Sequence, residues 1–203
     1  MNSYKTIDRF AEGEITEKRS RFIAVAYPVE NEQQAADIIT SVKKKHFSAK
    51  HNVFAYRLKS GEERYSEDGE PQGTAAAPIL DLLRSLDLSD CLVVVTRYFG
   101  GILLGTGGLV RAYTSAAKAA LDKSGTKEYV LHTVNKITFE YSLYGRVEGI
   151  VSSFGGSIID SDFADEVCIF AAIKKDMSEP FCKKIIDSTN GTATVESVRE
   201  IFK

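Results

Sequence analysis

Nearly all the side chains of this sequence that could do chemistry fall in two stretches. The first is Tyr65-Ser66-Glu67-Asp68-Gly69-Glu70-Pro71-Gln72-Gly73-Thr74; the second runs from Arg97-Tyr98-Phe99 through Gly100, Gly101, Gly105, Gly107 and Gly108 to Arg111. Carboxylates packed as closely as Glu67, Asp68 and Glu70 are the equipment of a hard-cation site or of a general acid/base pair. Their spacing does not match the longer, regular EF-hand loop, so ion pairing with Arg97 and Arg111 is the favoured reading over a metal. Ser66, His51 and Asp68 can be drawn as a triad, but Ser66 lacks the glycine-flanked elbow of esterases. No catalytic residue, metal or cofactor is therefore assigned.

Each stretch leads into the start of a helix, where free N–H groups and the positive dipole end attract anions. The glycine stretch matches no nucleotide fingerprint: no Lys follows Gly105, and Val110 stands where a dinucleotide motif needs its last glycine. The glycines read first as suppliers of positive φ and close strand-to-helix packing, and second as a ligand cradle. The candidate binding residues are Ser66, Glu67, Asp68, Glu70 and Thr74 from the first stretch. From the second they are Arg97, Tyr98, Gly100, Gly101, Gly105, Gly107, Gly108 and Arg111. Tyr98 could stack on a base; Phe99 is expected in the core. His46 and His51 read as surface or satisfied structural histidines.

The elements that must position these residues follow from periodicity. Two strands are expected between Lys5 and Val29, then a helix capped by Asn31 with Gln34 in a capping box and Ala35, Ile38, Ile39 and Val42 at helical spacing. Lys43-Lys44-Lys45 suits that helix's negative C-terminal end. Val53–Leu58 reads as a strand, residues 60–73 as a long loop, and Thr74 as the cap of a helix bearing Ile79, Leu82, Leu83 and Leu86. Leu92–Thr96 is continuous and apolar, as in a strand buried on both faces. A third helix carries Leu109, Val110, Tyr113, Ala116, Ala117, Ala120 and Leu121. Beyond it the order becomes strand, helix, strand, strand, helix, strand, which is the split βαβ or ferredoxin-like unit. The fold class is α+β, with domains expected at 1–131 and 132–203.

Composition narrows the function classes. The chain has 203 residues, 43% of them hydrophobic, and 26 Lys+Arg against 28 Asp+Glu. That is ordinary globular composition, and its near balance argues against a surface that embraces nucleic acid throughout. The apolar runs, such as Cys91 to Val95, are far shorter than the roughly 20 residues of a membrane span, so no membrane partner is expected. Met1-Asn2-Ser3-Tyr4-Lys5 lacks a secretory pattern, and a cytoplasmic location is expected. Cys91, Cys168 and Cys182 form no Cys-x-x-Cys pair and read as free thiols; Cys91 and Cys168 sit among apolar neighbours as inert ones do.

Read together, the motifs resemble the IMPACT family, in particular its bacterial YigZ-like members. The matching stretches are Ser20-Arg21-Phe22-Ile23-Ala24, Tyr65 to Pro71 with Gly73-Thr74-Ala75, and Val94 to Gly101 continuing through Leu104 to Tyr113. The resemblance implies an N-terminal domain like the second domain of a small-subunit ribosomal protein, also seen in elongation factor G domain IV. It also implies a ferredoxin-like C-terminal domain like elongation factor G domain V. The tandem implies a ribosome or RNA partner. The resemblance, with no complete catalytic constellation beside it, implies a non-enzymatic, translation-associated regulator whose partner is a protein or ribosomal component; eukaryotic members regulate translation by competing for an activator of a starvation-responsive kinase. Ala76-Ala77 replaces a glycine and a basic residue common in relatives, and Leu103 replaces a common lysine. Losing two cations weakens RNA binding, so RNA is the lesser partner. The alternatives are a small hydrolase or phosphate-ligand enzyme using the acidic loop with a cation, and a nucleic-acid-binding protein.

Overall fold

The computed structural model describes residues 2–203. The chain divides into two compact units, Tyr4–Glu128 and a second built from Tyr129–Lys203 with the first residues of the chain. The boundary falls inside one strand, Thr126–Phe139.

The chain opens with β1 (Ser3–Ile7), which belongs to a different sheet from the strands that follow it, β2 (Ala11–Glu17) and β3 (Ser20–Pro28); then come α1 (Glu32–Lys45), β4 (His51–Arg57), β5 (Glu63–Ser66), α2 (Ala76–Ser85), β6 (Cys91–Tyr98) and α3 (Thr106–Ser124). Where two strands were expected before α1, three form. The stretch read as a long loop contains β5, a short polar strand that exists because it pairs with β4, Phe54 against Ser66 and Arg57 against Glu63. Asn31 caps α1 as expected: its side chain accepts the Gln34 N–H at 2.9 Å, and Gln34 Oε1 accepts the Glu30 N–H at 2.8 Å.

Five antiparallel strands pair in the order β2-β3-β6-β4-β5. The central strand β6 runs apolar from Cys91 to Val95 because both its faces are covered there. Val93 and Val95 join Phe22, Ala24, Val53 and Ala55 under α2 and α3; Leu92 and Val94 join Val25, Tyr56 and Leu58 under α1. Burying each such aliphatic side chain is worth about 1.5–3 kcal/mol before chain entropy is subtracted. Period-2 alternation carries the pattern one step further, placing Arg97 on the α2/α3 face and Tyr98 on the α1 face.

In the second unit β7 (Thr126–Phe139), α4 (Tyr144–Ser153), β8 (Ser157–Phe163), β9 (Val167–Lys174), α5 (Ser178–Ser188) and β10 (Thr194–Phe202) follow one another. The pairing order β10-β7-β9-β8 is the ferredoxin-like arrangement. Ile137, Ile169, Val147 and Phe181 make its core with α4 and α5.

Candidate functional site

Strand register builds the site. On either side of β6, Arg97 pairs with Phe22 of β3 and with His51 of β4. The Arg97 guanidinium carbon lies 5.4 Å from the Phe22 ring centre and 5.5 Å from that of Phe99. Its Nη1 donates to Glu70 Oε1 at 2.5 Å, while Nε is buried without a partner. Glu70 also accepts the Tyr113 hydroxyl at 2.8 Å, and His51 Nε2 stands 3.8 Å away. Burial first, and then the Glu70 charge, push the Tyr113 phenol far above its ordinary range, so it stays a donor.

The other two carboxylates of the acidic loop serve other tasks. Glu67 caps α2: its Oε2 accepts the N–H groups of Ala75 at 3.0 Å and Ala76 at 2.7 Å, and its Oε1 that of Gly73 at 2.9 Å. Thr74, expected to be that cap, instead donates its hydroxyl to the Pro71 carbonyl at 2.7 Å; a carboxylate reaching several amides at once outcompetes a single hydroxyl. Asp68 sits at φ 45°. It accepts Lys43 Nζ at 2.8 Å and the Asn52 N–H at 2.6 Å. Burial raises its pKa, but Lys43 and the Asn52 N–H outweigh that and hold it below the usual value. Lys43 thus forms an ion pair as well as suiting the end of α1.

The drawn triad does not exist. His51 Nδ1 donates to the Asp68 backbone carbonyl at 2.7 Å, not to its carboxylate, and Ser66 Oγ accepts the Asp68 N–H at 3.3 Å. His46 Nδ1 lies 2.9 Å from the Tyr98 hydroxyl. Both histidines are buried and satisfied.

Between the acidic loop and the start of α3 lies a groove of roughly 480 Å³. Its walls are Gly69, Glu70 and Pro71 on one side and Leu103, Leu104, Gly105, Thr106 and Leu109 on the other, with Lys50, His51, Arg97 and Phe99 between them. Of the candidate residues it gathers Glu70, Arg97 and Gly105. Ser66, Glu67, Asp68 and Thr74 support the acidic loop from behind. Tyr98 faces α1, and Gly101 lies in the turn before the groove wall. Gly107 and Gly108 form the first turn of α3.

Two glycines have structural reasons. A Cβ on Gly100 would meet the Arg19 backbone at about 2.0 Å, and the Gly100 N–H donates to Ser20 Oγ at 3.1 Å. Gly105 sits at φ 72° at the N-cap of α3, where the left-handed region favours glycine.

Two expectations are corrected. Arg111 does not meet the carboxylates of the acidic loop: it lines a separate depression with Glu17 and Lys18, because two residues beyond the groove-lining Leu109 is about half a turn around α3. Phe99 is not core but 46% exposed, since the strand ends at Tyr98. Sequence reasoning also missed Lys50 and Tyr113, and read Leu103 only as the replacement of a common lysine. Tyr113 was legible only as an apolar-face residue, and nothing local shows that its hydroxyl reaches Glu70.

Comparison with known proteins gives this geometry a family. Residues 18–121 match the Impact N-terminal domain, and residues 137–192 match the Domain of unknown function (DUF1949). The IMPACT family member YvyE of Bacillus subtilis (strain 168) is 32% identical over 198 residues, 97% of this chain and 91% of that protein. The chain belongs to the IMPACT family. The IMPACT family member YigZ of Escherichia coli (strain K12) is 32% identical over 187 residues, 90% of this chain and 92% of its own. A solved structure described as that of a hypothetical protein superposes with a TM-score of 0.65 at 30% identity, covering 98% of each chain. The matched Impact N-terminal domain contains the whole groove of this IMPACT family member, from Lys50 to Leu109. Among the described residues no helix is long and apolar enough to cross a membrane.

Proposed function

We propose that this IMPACT family member is a binding protein of the translation machinery, non-enzymatic and cytoplasmic, that docks a protein or ribosomal component in the groove between Glu70 and the start of α3. One observation carries the binding reading. All three carboxylates of the acidic loop are committed, Glu67 to α2 amides, Asp68 to Lys43 and Asn52, and Glu70 to Arg97 and Tyr113. A general base must be free to reach its substrate proton, and a cation needs uncommitted oxygens. The loop beside them instead exposes Phe99, Ile102 and Leu103, the last 82% exposed. Apolar side chains left together in water mark an interaction site.

Family membership supports translation as the context. Sedimentation of a cell extract at physiological salt tests it: the chain is expected with ribosomes or translation factors. Leu103→Glu, which changes only an exposed side chain, is expected to release it. A chain that stays at the top of the gradient removes the support for this function.

A further inference from the structure

The two helices that follow the chemistry-bearing stretches start differently, and only α3 starts on the groove. The first amides of α2 receive the Glu67 carboxylate. Those of α3 receive nothing comparable: its N-cap is Gly105, with no side-chain cap, and its first turn, Thr106-Gly107-Gly108, holds no acid. The leading N–H groups of a helix have no intrahelical partner, and the positive dipole end is theirs as well.

A second, independent feature points at the same spot. Arg97, only 6% exposed, lines the groove with Gly105 and Thr106, and its Nε is buried with no hydrogen-bond partner. A guanidinium offers a fork of donors suited to a carboxylate. Glu70 takes Nη1 but shares itself with the Tyr113 hydroxyl. Lys50, exposed on the same rim with its Nζ 6.0 Å from the Phe99 ring centre, adds a second cation.

We propose that the groove takes an acidic peptide segment of a protein partner, with one carboxylate seated on the first turn of α3 beside Arg97 and Lys50. A neighbouring apolar side chain packs on Leu103 and Phe99. This rests on the groove being the docking surface. The ligand supplies to α3 what Glu67 supplies to α2, a negative charge on free amides. A peptide fits better than RNA. A phosphate chain gains affinity from many cations, whereas this wall offers only Arg97 and Lys50, sets the Glu70 carboxylate among them, and adds the apolar Leu103, Leu104 and Leu109. Those leucines offer apolar contact and no hydrogen bond to a base edge.

The test is selection of a random library of short peptides on the immobilised full chain, followed by affinity measurement of the enriched peptides. Enriched sequences are expected to combine Asp or Glu with Leu or Phe, to weaken as salt rises, and to shift the amide resonances of Thr106 and Gly107. Lys50→Glu is expected to weaken them by about tenfold, through replacement of attraction by repulsion. Enrichment of basic or uncharged peptides, no enrichment, displacement of the peptide by oligouridylate at equal charge, or an acidic peptide indifferent to Lys50→Glu each overturns the proposal. If it is overturned while the chain still sediments with ribosomes and Leu103→Glu still frees it, the docking surface stands with a ligand of other chemistry. Selective acidic peptide binding without sedimentation supports this inference and removes the translation context alone.

Discussion

Glu70 and Arg97 form an ion pair closed to water: Oε1 lies 2.5 Å from Nη1, and the two side chains are 3% and 7% exposed. The pair joins the acidic loop to the end of β6, and both residues line the groove.

Breaking such a pair leaves a charge buried without compensation. Glu70→Ala is expected to cost about 3–5 kcal/mol, and Arg97→Met a similar amount. The double variant Glu70→Leu with Arg97→Met is expected to recover more than half of the loss, because apolar side chains of similar volume carry no desolvation penalty. Urea unfolding of the three variants checks this, and additive losses would show that the two residues are not coupled.

Glu67 is expected to stabilise locally. Glu67→Ala removes the carboxylate from the α2 amides, with a loss of about 2 kcal/mol by the scale of helix caps and charged hydrogen bonds. Hydrogen exchange should rise at Ala75, Ala76 and Ala77 and stay unchanged in the second unit. Exchange that rises uniformly would contradict a capping role.

Acid should weaken the fold in two stages. Burial, reinforced by the charge of Lys45, holds the His46 pKa below its ordinary value, which is about 6.5 in the unfolded chain. The unfolded chain therefore takes the proton first. This contribution is complete above about pH 6.5 and is lost as pH falls through the folded value. Asp68 is also held below its ordinary value, so its contribution is complete above about pH 4 and is lost as pH falls further. Urea midpoints followed from neutral to acid pH should show both declines. His46→Gln should remove the first and Asp68→Asn the second; a midpoint that rises on acidification would reverse the assigned signs.

What was legible in the sequence was local. The Asn31 cap, the apolar run of β6 and the strand-helix order of the second unit are set by residues a few positions apart; Gln34, expected to close a capping box on Asn31, accepts the N–H of Glu30 instead. β5 was hidden, because Glu63-Arg64-Tyr65-Ser66 has no apolar alternation and becomes a strand only through its pairing with β4. The two chemistry-bearing loops were visible as unusual residue types, but the duties of the carboxylates were not. Whether Glu70 meets Arg97 or Arg111 depends on the register that sets Arg97 against His51 and on helical phase after Gly105. Thr74 looked like the cap of α2 because it stands before the helix, whereas the carboxylate that caps it arrives from Glu67 through the turn between them.

The central claim is that the rim of this groove is where a translation partner docks. The most direct measurement compares wild type with the double variant Lys50→Glu and Leu103→Glu in ribosome sedimentation, with thermal unfolding recorded for both. Wild type is expected to travel with the ribosomal or factor fractions, and the variant to fall by about tenfold in bound fraction, as loss of an interface anchor does, at an unchanged melting temperature. A correctly folded variant that sediments as wild type does would contradict it.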